Sequence, residues 1–251
     1  MTLPLSNSPT GFLTSCTKFV QRLIAPSCLL CAGASEGALL CVPCDADLPR
    51  LAALHGERCD TCALPITSGM RCGACLSSPP AYDHVCAAFT YAFPADVLVQ
   101  ALKYRSLLAI APLFGNAVAR SLDERPEVII PMPLADARLR ERGFNQGQEI
   151  ARHVATITGI PLLARACRRV RNTPQQATLP REERAKNIRN AFVCDEDFSG
   201  RHVAVVDDVI TTGATLNELA RNLKHAGAAR VTGLIVARTL PGAFGKRVLD
   251  V

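Results

Sequence analysis

The stretch Val205-Val206-Asp207-Asp208-Val209-Ile210-Thr211-Thr212-Gly213-Ala214-Thr215 sets apolar residues against two adjacent acids, and the acids against a threonine-rich turn. Residues 202–206 have the pattern of a buried strand, and residues 213–226 have helical spacing that ends at Gly227. Charge at the end of a buried strand costs stability unless it is used. A helix start offers free backbone N–H groups and the positive end of a dipole, which suit a phosphate. Gly213 lets the backbone approach such a group closely, Ala214 leads into the helix, and Thr211, Thr212 and Thr215 add hydroxyl donors. Asp207 and Asp208 stand just before this cradle, where carboxylates can accept hydrogen bonds from sugar hydroxyls and bind Mg²⁺ directly or through water. A 5-phosphorylated ribose presents a phosphate and a vicinal diol in that arrangement. An N-capping cluster after an ordinary turn would account for the threonines but leaves the acid pair unexplained.

Working outward, residues 231–237 read as the next strand, so strand, loop, helix and strand form a βαβ unit. Upstream, residues 83–91 are strand-like, and residues 95–104 and 107–121 have helical spacing. Val128-Ile129-Ile130 is a short apolar run before Pro131, the mark of a buried parallel strand. A helix is expected over 146–157 and a strand over 162–170. Residues 171–190 are polar and basic, contain Pro174 and Pro180, and read as a mobile loop. The larger part of the chain is therefore α/β with a mainly parallel sheet.

The front of the chain is organised by cysteine. Of the 12 cysteines, eight form Cys-x-x-Cys pairs between Cys28 and Cys75. Cys28, Cys31, Cys41 and Cys44 recur 31 residues later as Cys59, Cys62, Cys72 and Cys75, a tandem duplication. Two Cys-x-x-Cys knuckles supply the four thiolates of a tetrahedral zinc site, so two closed, structural zinc ions are expected. The simplest partition gives each copy one ion; a crossed arrangement pairs the first knuckle with the third. Cys16, Cys86, Cys167 and Cys194 have no such spacing and read as buried apolar residues. Ser77-Ser78-Pro79-Pro80 reads as a linker. The expected organisation is an N-terminal segment, 1–25, with a short helix across 12–24; a double zinc-ribbon module, 26–80; and the α/β domain, 81–251.

Hydrophobic residues make up 49% of the 251, which argues against disorder. No apolar stretch approaches the ~20 residues of a membrane-spanning helix. The opening residues lack a basic segment before an apolar core, so a cytoplasmic setting is expected. Charge is uneven: residues 138–189 hold twelve basic and four acidic side chains, an excess that suits a polyanionic partner.

The 205–215 stretch resembles the phosphoribosyl-pyrophosphate signature of type I phosphoribosyltransferases. With Leu102-Lys103-Tyr104, Pro131-Met132-Pro133-Leu134, Arg142-Gly143-Phe144-Asn145-Gln146, Gln175, Gln176, Leu179, Arg184, Asn187, Ala191, Phe192 and the cysteine repeat, the chain resembles the ComF family of competence proteins. The resemblance runs from Cys28 to Thr239. It implies a type I phosphoribosyltransferase-like domain behind a double zinc ribbon, with phosphoribosyl pyrophosphate and Mg²⁺ as ligands. Asp207 and Asp208 would hold the ribose hydroxyls, and Thr211, Thr212, Gly213, Ala214 and Thr215 the 5-phosphate. Pro133 and Leu134 would lie in the pyrophosphate loop, where this fold often has a non-proline cis peptide; Arg138, Arg142 and Lys103 would neutralise charge nearby. Residues 171–189 would close over the site. The implied chemistry is displacement of pyrophosphate from C1 of the ribose by an acceptor that no residue of the sequence names. The alternatives are a non-catalytic sensor of phosphoribosyl pyrophosphate or a nucleotide, and a protein that handles single-stranded DNA, consistent with a tie to competence and DNA uptake. Against base stacking, the chain has no Trp and three Tyr.

Overall fold

The computed structural model of the chain describes residues 27–53, 57–171 and 188–241. In chain order its main elements are α1 (Val42–Ala46), α2 (Gly73–Ser77), β1 (His84–Thr90), α3 (Ala95–Arg105), α4 (Ile110–Arg120), β2 (Val128–Pro131), α5 (Asp136–Arg142), α6 (Gln146–Thr158), β3 (Cys167–Arg169), β4 (Phe192–Cys194), β5 (His202–Ile210), α7 (Ala214–His225) and β6 (Arg230–Arg238). The chain divides between Asp47 and Leu48 into two compact units. The first cysteine quartet lies in the first unit. The second quartet lies in the second unit, together with all six strands.

The duplication seen in the sequence is also a duplication of backbone. The bridge Ser27–Ala34 recurs as Arg58–Pro65. The bonds Cys28 N–H to Gly33 O, Ala32 N–H to Cys28 O and Leu29 N–H to Leu39 O recur at Cys59/Leu64, Ala63/Cys59 and Asp60/Met70. Both knuckles place an alanine in the left-handed region, Ala32 and Ala63, each with φ 59°. The short helices α1 and α2 begin directly after Cys41 and Cys72.

In the second unit, β1, β6, β5 and β2 form a parallel sheet in that order. Parallel strands need cover on both faces, and the burial pattern shows it: β2 is wholly buried and β6 nearly so. One face carries α3, α4 and α6, with Leu98, Leu102, Phe114, Ile150 and Val154 buried there. On the other face Leu216, Leu219 and Leu223 of α7 join Val85, Ile130, Val205 and Ile235 in one cluster. Cys59, Cys62, Cys75 and Tyr82 belong to that same cluster, so the second ribbon contributes to the core of the α/β unit.

Two strands depart from expectation. β5 does not stop at Val206. It stays in register with β6 through Asp207–Ile235, Val209–Ala237 and Ile210–Arg238, so the acid pair lies inside the strand. Inter-strand bonding to β6 carries the backbone past a polar pair that reads as a stop. Residues 162–170 do not form one strand: Leu162 makes a single parallel bridge to Ile129, and only Cys167–Arg169 continues as β3, antiparallel to β4. Those two short strands bracket the expected mobile loop, of which residues 172–187 lie outside the described residues, as does the helix expected over 12–24.

Candidate functional site

The carboxyl ends of parallel strands are where α/β sheets bind ligands, and the residues singled out in the sequence gather there. β5 ends at Ile210; Thr211 and Thr212 turn the chain, and Gly213 at φ 80° opens α7. The N–H of Ala214 donates to Thr212 Oγ1 at 3.3 Å, which shapes the turn. Asp207, Thr211, Gly213, Ala214 and Thr215 line an open pocket with Val209 and Ile235. Gly213 is required there twice over. Its φ is left-handed, and a Cβ would lie 2.8 Å from the Tyr82 hydroxyl oxygen.

Neighbouring strand residues point to opposite faces, so the two acids have different company. Asp207 is half-buried along the pocket, and burial together with the Asp208 charge pushes its pKa up to about 7. Asp208 is buried and pairs with Lys103 of α3 at 2.9 Å. Burial works against the Lys103 ammonium, but the carboxylates of Asp208 and Asp207 outweigh it and hold the pKa above its ordinary value. Lys103 is thus drawn into the acid pair, where a lysine near a helix end is usually only solvated.

Pairing of β2 with β5 sets the second expected loop beside the first. Pro131 lies opposite Val206, and Met132 N–H donates to Val206 O at 2.8 Å. Pro133 is buried and Leu134 half-buried in the turn that follows. Among the described residues the cis peptide is at Phe93–Pro94, and the 131–134 turn is trans. The Arg-Gly-Phe-Asn-Gln segment braces this turn. Asn145 caps α6 by accepting from Gln148 N–H at 3.3 Å, and its Nδ2 donates to Met132 O at 3.0 Å. A cap of this kind is worth about 1 kcal/mol. Arg142 stacks over the Tyr104 ring at 5.7 Å and donates to Gln146. Arg138 pairs with Glu141 at 2.7 Å.

Arg169 lies near the site too, a residue that no sequence motif marks. It follows Cys167 in β3, bridges to Ala135 just beyond the 131–134 turn, and stacks over Phe192 at 5.8 Å. Burial pulls its pKa down; the Asp207 carboxylate opposes this, and the like charge of Arg138 adds to it. Arg169 therefore feels both the Asp207 carboxylate and the Arg138 guanidinium. A three-residue strand carries no periodicity, which is why the sequence did not flag it.

The cysteines form two quartets. The sulfur atoms of Cys28, Cys31, Cys41 and Cys44, and those of Cys59, Cys62, Cys72 and Cys75, each lie within 4.8 Å of one another, so the uncrossed partition holds. Sγ of Cys31 and Cys41 are 3.6 Å apart, and those of Cys62 and Cys72 are 3.7 Å apart. Those separations are far beyond a disulfide's ~2.0 Å and close to the edge of a tetrahedron built on Zn–S bonds of about 2.3 Å. The quartets therefore fit structural zinc. Of the other cysteines, Cys86 is buried and donates to Asp123, with His84 2.8 Å from the same carboxylate, distances that hydrogen bonds explain. Cys167 and Cys194 face each other across β3 and β4. Cys16 lies outside the described residues.

The family models agree with this architecture. Residues 111–240 match the phosphoribosyl transferase domain, and residues 19–76 match the double zinc ribbon domain. The chain is 34% identical over 200 residues to the DNA utilization protein YhgH of Escherichia coli O157:H7, covering 76% of this chain and 88% of that one. It is 34% identical over 171 residues to competence protein F of Haemophilus influenzae, covering 64% and 75%. Against competence protein ComFC of Bacillus subtilis the identity is 28% over 130 residues, half of each chain. The chain belongs to the ComF family: a phosphoribosyltransferase-type domain joined to a double zinc ribbon.

Proposed function

We propose that the chain binds phosphoribosyl pyrophosphate with Mg²⁺ at the carboxyl ends of β5 and β2 and transfers or senses its phosphoribosyl group. The observation that carries this reading is the juxtaposition of three parts: the Asp207/Asp208 pair, the 211–215 turn at the start of α7, and the 131–134 turn beside them. The turn and the first N–H groups of α7 hold the 5-phosphate. Asp207 accepts hydrogen bonds from the ribose hydroxyls, while Asp208, neutralised by Lys103, fixes the local backbone and charge. The 131–134 turn, with Arg138 and Arg169 on the same edge, receives the pyrophosphate, and Arg142 braces that edge. Mg²⁺ on Asp207 would neutralise charge on the leaving pyrophosphate. The protein's share of catalysis is positioning and charge stabilisation.

The names of the relatives, a DNA utilization protein and a competence protein, favour a role linked to handling incoming DNA. A sensor of phosphoribosyl pyrophosphate that acts on competence proteins or single-stranded DNA is the second reading. Zinc-binding thiolates suit a reducing compartment such as the cytoplasm. No helix among the described residues is long and apolar enough to cross a membrane.

Calorimetry with phosphoribosyl pyrophosphate and Mg²⁺ tests the shared claim. Saturable binding in the wild type, weakened at least ~100-fold (about 2.7 kcal/mol) in Asp207→Asn/Asp208→Asn, supports it; absence of binding by the wild type overturns it. Pyrophosphate release with candidate acceptors then separates transferase from sensor. DNA binding that falls steeply with salt would support the DNA reading.

A further inference from the structure

The second zinc ribbon reaches the phosphate turn through one buried side chain. Arg238, the last residue of β6, is 3% exposed. Its Nε donates to Cys62 O at 2.9 Å. Its Nη1 donates to Ile210 O at 3.0 Å and also to Thr211 O. One guanidinium thus ties the backbone of a zinc-ligand residue to the two residues from which the 211–215 turn departs. Thr239 reinforces the same point, with N–H and Oγ1 both donating to Ile210 O at 3.1 Å. Tyr82 makes a second connection: it is buried in the cluster that holds Cys59, Cys62 and Cys75, and its ring packs directly on Gly213.

A buried guanidinium is stable only while its donors are satisfied. The fork is rigid, so the positions of its carbonyl acceptors are linked. A zinc ion held by Cys59, Cys62, Cys72 and Cys75 would fix the Cys62 thiolate, and with it Cys62 O. Without the ion the knuckle is free to relax, Arg238 loses one fixed acceptor, and the turn loses its anchor. The first quartet belongs to the other compact unit.

We propose that Arg238 is a positioning residue through which the second zinc ribbon sets the phosphate turn. Metal at Cys59, Cys62, Cys72 and Cys75, and not at Cys28, Cys31, Cys41 and Cys44, then governs the order of that turn and its grip on a phosphorylated ribose. The part concerning grip rests on the ligand reading above; the part concerning order does not.

The test uses the full chain carrying Cys28→Ser/Cys31→Ser, so that zinc titrates only the second site. Hydrogen exchange at the 211–215 amides is followed with and without zinc, using Ile129, Ile130 and Val205 as the internal core reference. Removing zinc is expected to speed exchange in the turn at least tenfold, while the core amides report the accompanying loss of global stability, and restoring zinc is expected to reverse both. In the same background Arg238→Lys, which leaves every zinc ligand in place, is expected to start with the fast turn and to show less than a twofold response to zinc. That loss of zinc dependence is the signature of coupling, since two unrelated structural injuries would add. The proposal is overturned if zinc leaves the turn unchanged or if Arg238→Lys keeps the full zinc response of the turn. Binding of phosphoribosyl pyrophosphate with Mg²⁺, measured on the same samples, should weaken in step with turn exchange. If exchange behaves as expected but no sample binds the ligand, the ligand reading fails and the coupling stands.

Discussion

The two cysteine ribbons share one local plan and live in different surroundings. Spacing, bridges, knuckle hydrogen bonds and even the left-handed alanine repeat 31 residues apart. Cys28 and Cys59 are both buried and Cys41 and Cys72 both half-buried, yet Cys31 is exposed and Cys44 half-buried where Cys62 and Cys75 are buried. The second ribbon has become part of a core: its cysteines pack with Tyr82, Val85, Ile130 and α7, and its Cys62 carbonyl is bonded by Arg238. A local metal motif fixes how a knuckle folds, but what the knuckle does depends on which apolar surface it covers. The first lies within its own compact unit; the second is a wall of the α/β unit.

The largest effect should come from breaking that wall. Cys59→Ser/Cys62→Ser and Cys28→Ser/Cys31→Ser should each remove one zinc per chain by metal analysis, so the two losses are chemically alike. They should differ in consequence. Losing the second ion removes a folding contribution that zinc knuckles do not replace and exposes part of the core, costing the second unit about 4 kcal/mol or more. The main thermal transition should fall by roughly 10 °C or more. The first-ribbon variant should leave that transition within about 2 °C. Equal shifts in the two variants would mean that the second ribbon is no more part of the core than the first.

What was legible in the sequence divides along the same line. Ligand spacing is local, so both quartets could be read from it, and the acid pair with its threonine turn marks a candidate site within eleven residues. The partners of those groups are distant in the chain. Lys103 meets Asp208 only because α3 packs on the sheet, and Arg238 meets Cys62 across 176 positions. The sequence pattern ends β5 at Val206, but its last residues are held by β6, a strand still to come in the chain, and no propensity of Asp207 or Asp208 signals that support. Arg169 escaped notice for the same reason: its place depends on a bridge to Ala135 and a ring from β4.

A smaller effect separates the units by pH. An ordinary aspartate titrates near 3.8, whereas burial and the Asp208 charge push Asp207 up to about 7. The folded chain then holds this proton more tightly than the unfolded chain. The group's contribution therefore favours folding at pH below about 4 and is lost as pH rises through about 7. In ligand-free protein, Asp207→Asn should be more stable than the wild type at pH 8, with the gap growing from pH 5 to about 7.5 and level beyond. Taking the difference between the two proteins cancels the titration of the cysteines. The gap should appear in the transition of the second unit and be absent from zinc release by the first ribbon. A gap independent of pH would mean that the pocket mouth solvates Asp207 well enough to leave its carboxyl ordinary.

The smallest effect asks whether the two ribbons are still twins at the level of a single residue. Ala32 and Ala63 both sit at φ 59°, directly after the second cysteine of their knuckles. A left-handed alanine stores roughly 1 kcal/mol that glycine would not, and glycine's greater freedom in the unfolded chain returns part of it. Ala32→Gly and Ala63→Gly should each therefore stabilise their own ribbon by about 0.5 kcal/mol, read as slower zinc transfer to a competing chelator. The strain belongs to the knuckle and not to its neighbours, so the two gains should match despite the difference in burial. Ala63 is 6% exposed within the core cluster, however, and its methyl group is part of that packing. If Ala63→Gly loses stability while Ala32→Gly gains it, the second ribbon has given up an independent fold even at its tightest turn, and the methyl contact outweighs the backbone strain.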